Sequence, residues 1–230
     1  MNISGLQRMT LLDFPGKIAA TVFAGGCNFR CPFCHNASLV LNNDMAYNIP
    51  EEDFFSFLSK RKGLLDGICI SGGEPLLHKD IVEFIERIKT LGFSVKLDTN
   101  GSCHSKLKEL VEKELVDYVA MDVKNSPSGY PKTAGVPGEV PEDVYKSIKF
   151  LLGGRVDYEF RTTVVKGFHS AEDFIAIGEW IRGAKRYFLQ NFEDSDDMLS
   201  VGLQPADKDE MLLFADIVRK YVSSVQLRGI

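Results

Sequence analysis

The segment IAATVFAGGCNFRCPFC, residues 18–34, decides how the chain is expected to fold. Its first seven residues, 18–24, are apolar and β-prone, and two glycines end the run, which predicts a strand that stops just before the cysteines. Cys27, Cys31 and Cys34 then follow on a predicted loop, at C-x3-C-x2-C spacing. Three thiolates so close in sequence can converge on one inorganic centre.

From this segment onwards, predicted strands and helices alternate. Further strands are predicted at 67–71, 93–98, 117–123, 157–165 and 186–190. Helices are predicted at 51–61, 78–91, 105–115, 141–152 and 206–222, with one more that begins after an N-cap at Ser170. Short strands separated by single helices favour parallel strands with right-handed crossovers. About six such units predict an α/β fold, a partial (β/α)6 barrel of TIM type, with its chemistry at the carboxyl ends of the strands.

The composition limits the class of protein. With 230 residues and 44% hydrophobic content, the chain can bury one core, so residues 1–230 are predicted to form a single domain. A net charge of −5 gives no electrostatic footprint for nucleic acid. No signal peptide or run of about 18 apolar residues is present, which predicts a cytoplasmic protein without a membrane partner.

The cysteine content argues against a disulfide framework. The chain has five cysteines, an odd number, and three of them crowd into the segment quoted above. Cys69 and Cys103 stand apart and are predicted to be a buried and an incidental thiol. A reducing compartment and a metal site fit this distribution better than disulfides do.

One segment breaks the alternation of strands and helices. Residues 125–141 contain four of the nine prolines and three glycines, too many for a helix or a central strand. The segment is predicted to be a loop. Two interpretations stay open, a solvent-exposed connector and a loop that contacts a macromolecular substrate.

The three-cysteine motif predicts an iron–sulfur centre with an open position. A cubane cluster has four irons, so three thiolates leave one iron free for a small molecule, as catalytic metal sites do. Phe33, between the cysteines, can shield such a cluster from water, and ordinary packing is an equal alternative for it. The alternative is structural zinc with His35 as fourth ligand, but a histidine directly after Cys34 is badly placed to share a tetrahedron with it.

Two short motifs follow the next two strands. In residues 71–75, Ser-Gly-Gly-Glu-Pro, the glycines allow close backbone approach and Glu74 can accept a hydrogen bond from an ammonium group. In residues 98–101, Asp-Thr-Asn-Gly, the carboxylate, hydroxyl and amide suit sugar hydroxyls or a cation. Each motif taken alone is also compatible with a tight turn.

Four later residues complete the candidate site. Asp122 and Lys124 lie on the same side of a strand end because strand side chains repeat every two residues. Arg161, inside the strand EFRTTVV, is costly to bury unless it meets an anion such as a ligand carboxylate. Gln190, at the end of YFLQ, has an amide that both donates and accepts, although a strand-end glutamine is more often simply solvated.

These motifs together resemble the radical S-adenosylmethionine (SAM) superfamily. The resemblance lies in the pattern C-x3-C-x-aromatic-C after a first strand and in the later motifs, which follow in the same order. The resemblance implies that SAM binds the open iron and that an electron from the cluster cleaves it to methionine and a 5′-deoxyadenosyl radical. It implies cluster ligation by the three cysteines and a monovalent cation site to which the aspartates contribute. The implied cofactor-binding residues are Phe33, Gly72, Gly73, Glu74, Pro75, Asp98, Thr99, Asn100, Asp122, Lys124, Arg161 and Gln190.

Within that superfamily, residues 5–36 and 159–165 closely resemble anaerobic ribonucleoside-triphosphate reductase-activating proteins, which belong with the activases of glycyl radical enzymes. The resemblance implies hydrogen abstraction from a glycine of a partner enzyme, with reduced flavodoxin or ferredoxin as electron donor. No inserted cysteine-rich, ferredoxin-like region occurs, so a single cluster is expected. The alternatives are a pyruvate formate-lyase activase, a radical SAM enzyme acting on a small molecule or peptide, and a non-enzymatic zinc module.

Overall fold

The structure is a computed structural model and describes residues 1–41 and 48–230. One eight-stranded sheet runs through it in the order β1 to β8. The strands are β1 Ile3–Thr10, β2 Ala19–Ala24, β3 Gly67–Gly72, β4 Ser94–Thr99, β5 Tyr118–Asp122, β6 Asp157–Val164, β7 Tyr187–Asn191 and β8 Val225–Arg228. The helices are α1 Ala37–Leu41, α2 Glu51–Ser59, α3 Ile81–Thr90, α4 His104–Glu112, α5 Tyr130–Ala134, α6 Glu142–Leu152, α7 Ala171–Trp180 and α8 Lys208–Val218.

The topology confirms a partial barrel built from six β–α units. Each strand from β2 to β7 is followed by a helix, and all neighbours from β2 to β8 pair in parallel. β1 pairs antiparallel with β2, and β8 adds one more parallel strand. Among the described strands no ladder joins β8 to β1, so the sheet is open along that side.

Alternation along each strand separates an apolar outer layer from a polar interior. In β4, Val95 and Leu97 are fully buried in the large hydrophobic core that also contains the apolar stripe of α3, Phe84, Ile85 and Ile88. Lys96 and Asp98 lie on the opposite, inner face, because successive strand side chains point to opposite sides. The strands thereby present charged groups inside the barrel while their outer faces hold the helices.

Sequence patterns missed four elements, each for a local reason. β1 is an edge strand whose residues are mostly half-buried or exposed, so it carries no apolar run. β8 has only four residues, and α1 and α5 have five each. α5 tolerates Pro131 because the proline stands in the first turn, where its missing N–H is not needed.

The solvent-exposed-connector interpretation of residues 125–141 is wrong for most of the segment. Asn125, Ser126, Tyr130, Thr133 and Ala134 are all buried. Asn125 Nδ2 donates to Thr133 Oγ1 and to the carbonyl oxygen of Phe168, at 2.8 Å each. The segment is therefore packed against the body of the protein.

In the described part of the chain, no helix is long and apolar enough to cross a bilayer.

Candidate functional site

A cavity of about 260 Å³ lies at the carboxyl ends of the parallel strands. All sequence-predicted site residues line it except Glu74 and Pro75. The lining residues are Cys27, Phe29, Cys31, Phe33, Cys34, His35, Asn36, Val40, Ser71, Gly72, Gly73, Asp98, Thr99, Asn100, Asp122, Lys124, Arg161, Thr163 and Gln190. The loop after β2 supplies the cysteines on one side, and the ends of β4 to β7 supply the charged and amide groups opposite.

The cysteine loop, residues 27–34, presents three free thiols to this cavity. The Cys27 sulfur accepts hydrogen bonds from the backbone N–H of Phe29 at 3.4 Å and from Asn100 Nδ2 at 3.8 Å. N–H donors aimed at a sulfur are what a thiolate ligand of an iron–sulfur cluster needs. Burial raises the pKa of Cys27 and raises that of Cys31 to about 11, so binding iron must displace the protons.

The three thiols line one cavity but are not grouped around the position of a single metal ion. Within residues 1–41 and 48–230, no three His, Cys, Asp or Glu side chains stand close enough together to hold a metal ion. The Cys31 thiol instead donates to the carbonyl oxygen of Ala134 at 3.7 Å. In a cubane cluster each cysteine binds a different iron, so three sulfurs placed around one cavity are compatible with cluster ligation.

The proline-rich segment supports the cysteine loop from outside. The backbone N–H of Arg30 donates to the carbonyl oxygen of Ala134 at 2.9 Å, and the rings of Phe29 and Tyr130 meet edge to face at 6.3 Å. Gly135, with φ of +63°, closes α5, and a Cβ on it would lie 2.1 Å from the Arg30 carbonyl oxygen. Only glycine allows the two backbones to come so close.

The glycine pair after β3 brings a second backbone against the cysteine loop. The N–H of Gly73 donates to the Ala24 carbonyl oxygen at 2.8 Å, and the next N–H donates to that of Gly26 at 2.8 Å. A Cβ at Gly73 would stand 1.9 Å from the Gly26 oxygen. The predicted close approach thus occurs, and its partner is the backbone that leads into the cysteines.

Glu74 takes a different place from the one expected. The sequence predicted that it accepts a hydrogen bond from a ligand ammonium, but the side chain is fully buried and does not line the cavity. Its carboxylate accepts from Leu76 N at 3.1 Å, Thr99 Oγ1 at 2.9 Å and Asn100 N at 2.7 Å. It caps the 3₁₀ helix Pro75–Leu77, in which Pro75 is also buried, and ties the residue 98–101 turn to the end of β3.

The residue 98–101 turn is fixed on both sides. Thr99 Oγ1 accepts from the N–H of Gly101 at 3.1 Å, and Asn100 Nδ2 donates to Asn28 Oδ1 at 3.0 Å. Gly101 has φ of +78°, and a Cβ there would collide with the Met121 side chain. The turn is therefore held in one conformation, with Asn100 linking it to the cysteine loop.

Four charged side chains line the floor of the cavity and a fifth, Lys96, lies behind Asp98. We call this group the charged floor: Lys96, Asp98, Asp122, Lys124 and Arg161. Arg161 bridges the two carboxylates, with Nη1 at 3.2 Å from Asp98 Oδ2 and Nε at 2.9 Å from Asp122 Oδ1. Lys124 Nζ donates to Asp122 Oδ2 at 2.8 Å, and Lys96 Nζ donates to Asp98 Oδ1. Three cations thus face two anions.

The mutual pairing fixes the charge state of the charged floor. Burial by itself would raise the pKa of Asp122, but the charges of Arg161 and Lys124 outweigh it and hold that pKa well below the usual range. Burial likewise opposes ionisation of Asp98, whose pKa is nevertheless lowered by Arg161 and Lys96. The pKa of Lys124 is raised because Asp122 outweighs its burial. These groups are ionised near neutral pH, so the five side chains of the charged floor together carry one net positive charge.

One expectation changes, and one residue is added to the site. The anions that meet Arg161 are the protein's own Asp98 and Asp122, so its burial requires no ligand carboxylate. Lys96 was missed, although the rule that pairs Asp122 with Lys124 also pairs Lys96 with Asp98. Nearby, His169 Nε2 lies 2.9 Å from the Lys124 carbonyl oxygen and so helps to hold the backbone beside the charged floor.

The fold and the site together define the class of protein. The fold is a parallel partial barrel, and the loop after its first parallel strand carries three cysteines. The family model described as Radical SAM superfamily matches residues 21–181, and the chain belongs to that superfamily. It is therefore a radical SAM enzyme, and membership implies a [4Fe–4S] cluster and SAM.

Individual relatives narrow the likeness. Over its whole length the chain is similar to a protein of Methanocaldococcus jannaschii provisionally named glycyl-radical enzyme activating enzyme MJ1227, with 32% identity over 234 residues, 99% of this chain and 96% of that protein. It is 33% identical over 132 residues to the pyruvate formate-lyase-activating enzyme of Listeria monocytogenes, which is 53% of this chain and 52% of that protein.

Solved structures share the fold. Streptococcus suis SuiB bound to S-adenosylmethionine superposes with a TM-score of 0.70 at 17% identity, over 90% of this chain and 49% of that one. A domain of the pyruvate-formate lyase-activating enzyme from Bacteroides vulgatus superposes with a TM-score of 0.57 at 18% identity, over 71% of this chain and 99% of that one. At these identities the likeness extends to the fold alone.

Proposed function

We propose that this chain is an activase that abstracts a hydrogen atom from a glycine of a partner enzyme and leaves a glycyl radical there. The observation that carries the proposal is the single cavity in which a three-cysteine loop faces the charged floor. The full-length similarity to a protein named as a glycyl-radical enzyme activating enzyme supports it. We treat residues 1–230 as one radical SAM domain.

The residues divide into two sets. Cys27, Cys31 and Cys34 would hold the cluster, with Asn100 and the Phe29 amide donating to Cys27. When bound, the cluster and SAM supply a 5′-deoxyadenosyl radical, the species that takes the hydrogen atom. The chain's own residues bind and orient, and homolysis requires no protein general base.

The opposite wall suits the polar groups of SAM. Lys124 and Arg161 provide cationic donors for a carboxylate, and the net positive charge of the floor favours one anionic group above it. The Thr99 hydroxyl, the Asn100 amide and the Gln190 amide offer both donors and acceptors for ribose or adenine. Phe33, buried beside Phe168, limits access of water to the cysteine loop.

A glycine is a suitable substrate residue for such a cavity. A hydrogen atom transfers only at near contact, so the partner's backbone must enter the mouth of the barrel. Glycine has no side chain to exclude it from a narrow space.

The partner enzyme we propose is anaerobic ribonucleoside-triphosphate reductase. Support comes from the likeness of residues 5–36 and 159–165 to activators of that enzyme. Pyruvate formate-lyase is the second candidate, because the similarity to its Listeria activating enzyme covers about half of this chain.

Reduced flavodoxin or ferredoxin is the proposed electron donor. Asn28 and Arg30 in the cysteine loop are exposed, so the loop is within reach of a docked donor. Free thiols and a reduced cluster suit the cytoplasm.

A monovalent cation beside Asp98 and Asp122 is a further candidate cofactor that the resemblance brings. Carboxylate oxygens are suitable ligands for such an ion. Here, however, Lys96, Arg161 and Lys124 already engage these carboxylates. The donor set therefore does not fit an inorganic cation.

The proposal is tested by electron paramagnetic resonance. The cluster would be reconstituted anaerobically, reduced and mixed with SAM and either partner enzyme in separate tubes. A glycyl radical doublet in the reductase tube supports the proposed partner, and a doublet with pyruvate formate-lyase alone names that enzyme instead. Formation of 5′-deoxyadenosine without either doublet would reject both partners and point to a small-molecule or peptide substrate.

A further inference from the structure

Lys96 is a buried lysine that has no role in the proposed mechanism. It lies on the inner face of β4, two residues before Asp98, and is only 2% exposed. It does not line the cavity, so it cannot touch a ligand bound there. An ammonium group is costly to bury unless a partner compensates it, so its position requires an explanation.

The surroundings of Lys96 show what compensates it. Its Nζ donates to Asp98 Oδ1 and lies 3.6 Å from the sulfur of Cys69, which is fully buried. Asp98 Oδ2 accepts hydrogen bonds from Arg161 Nη1 at 3.2 Å and from Ser71 Oγ at 3.1 Å. Lys96 thus approaches Asp98 from below, on the side away from the cavity.

Each carboxylate oxygen of the charged floor has a side-chain cation as its partner. Oδ1 of Asp98 is held by Lys96 and Oδ2 by Arg161, whereas Oδ1 of Asp122 is held by Arg161 and Oδ2 by Lys124. A metal ion placed between the aspartates would have to displace one of these donors. It would also add a second net positive charge to the floor.

We infer that the Lys96 ammonium is a built-in cation that positions Asp98 and makes this site independent of monovalent metal ions. Lys124 and Arg161 cannot have this role alone, because their side chains are 17% and 15% exposed and face the cavity where the ligand binds. Lys96 compensates Asp98 from below and leaves Arg161 free to bridge both carboxylates. It is a positioning residue.

Cation binding to the cluster-free protein tests this inference without any SAM chemistry. Thermal unfolding would be measured in choline, sodium and potassium chloride at equal ionic strength, and thallium(I) binding would be followed by ²⁰⁵Tl magnetic resonance. The wild type is expected to unfold at the same temperature in all three salts and to bind no thallium(I). Lys96→Met is expected to bind thallium(I) and to be stabilised by several degrees in potassium over choline.

Lys89→Met is the matched control, because it removes a lysine paired with Asp117 at 2.8 Å on the surface, and it should behave as the wild type does. Potassium-dependent stability or thallium(I) binding in the wild type would overturn the inference, as would a folded Lys96→Met protein that is indifferent to potassium. If Lys96→Met folds in neither salt, the wild-type measurement decides.

A second arm rests on the proposed function, because it uses SAM. With the reconstituted cluster, the SAM dissociation constant of the wild type should agree within twofold between potassium and choline. For Lys96→Met it should rise at least tenfold in choline and recover in potassium, a rescue that loss of packing would not give. Absence of any SAM binding would reject the proposed function and leave the cation result standing.

Discussion

The cavity has two unlike sides, the charged floor and the cysteine loop. On the floor, every carboxylate oxygen of Asp98 and Asp122 is paired with a cation from the chain itself. Across from it, burial raises the pKa values of the Cys27 and Cys31 thiols, which favours their protonated form when no iron is bound. On one side the protein's own cations compensate the buried carboxylates, whereas the other side carries the thiols that would hold the cluster.

The difference has a physical reason. Charges on β4, β5 and β6 sit in a rigid, low-dielectric interior, where each unpaired group would be costly, so the sequence supplies all counter-charges. Protonated thiols are small and only weakly polar, so a loop can bury them without a counter-charge. We therefore expect substitutions in the charged floor to affect folding stability, and substitutions of the cysteines to affect the cofactor alone.

Replacing a cysteine should give the largest effect on activity. Cys31→Ser should lose the brown colour of the cluster and reduce 5′-deoxyadenosine formation by more than the roughly 10- to 100-fold that loss of an outer-shell partner costs. The free energy of unfolding of the cluster-free protein should change by less than about 1 kcal/mol. Cys103→Ser, outside the cavity lining, is the control. Full activity in Cys31→Ser would remove that residue from the ligand set.

Replacing Arg161 should give the largest effect on stability. Arg161→Met leaves two buried carboxylates short of a partner, so the unfolding free energy of the cluster-free protein should fall by about 3–5 kcal/mol in urea titrations. Arg155→Met removes a surface guanidinium that is 3.5 Å from Glu112, and it should cost less than about 1 kcal/mol. Equal losses in the two variants would contradict the charged floor as a stability element.

Glu74 should give stability an unusual pH dependence. Burial raises the pKa of Glu74 to about 7 from 4.5, so between these values the folded protein retains a proton that the unfolded chain has lost. Its contribution is therefore fully present below pH 4.5 and is lost as the pH rises to about 7, by on the order of 3 kcal/mol. Comparing the pH profiles of unfolding for wild type and Glu74→Gln isolates this component. Parallel profiles would show that Glu74 titrates normally.

The smallest of these effects concerns the support of the cysteine loop. Gly135→Ala places a Cβ 2.1 Å from the Arg30 carbonyl oxygen at a φ of +63°, whereas Gly138→Ala has a φ of +76° with nothing within 4 Å. Both substitutions should lower the free energy of unfolding by about 1 kcal/mol, because alanine is strained in the left-handed backbone conformation. Gly135→Ala should lower it by about 1–2 kcal/mol more, because of the contact with Arg30. Gly135→Ala should also lose its cluster faster to a chelator. Identical behaviour of the two alanine variants would show that the contact with Arg30 is unimportant.

Sequence patterns predicted the barrel because its strands are short, apolar and regularly separated by helices, and they failed at β1 and β8, which are mostly exposed or very short. The cavity residues could be found because their motifs end consecutive parallel strands, which meet at one edge. The role of Glu74 could not be found, since its hydrogen bonds to Thr99 and Asn100 join residues 25 and 26 positions away.

The charged floor was only partly predictable from sequence patterns. Asp122-x-Lys124 was recognised as a pair on one strand face, but Lys96-x-Asp98, its mirror image on the neighbouring strand, was not. Which charge meets which depends on the register that sets Asp98 beside Ala120 and Asp122 beside Arg161, and register is a property of the assembled sheet. The same holds for residues 125–141, whose composition indicates a loop but not the cysteine loop against which it packs.

The central claim is that the three-cysteine loop and the charged floor act together on SAM. The most direct test is the electron paramagnetic resonance spectrum of the reduced cluster before and after SAM is added, with 5′-deoxyadenosine measured in the same sample. We expect SAM to change the cluster signal and 5′-deoxyadenosine to accumulate. A reduced cluster whose signal is unaltered by SAM, with no 5′-deoxyadenosine formed, would contradict it.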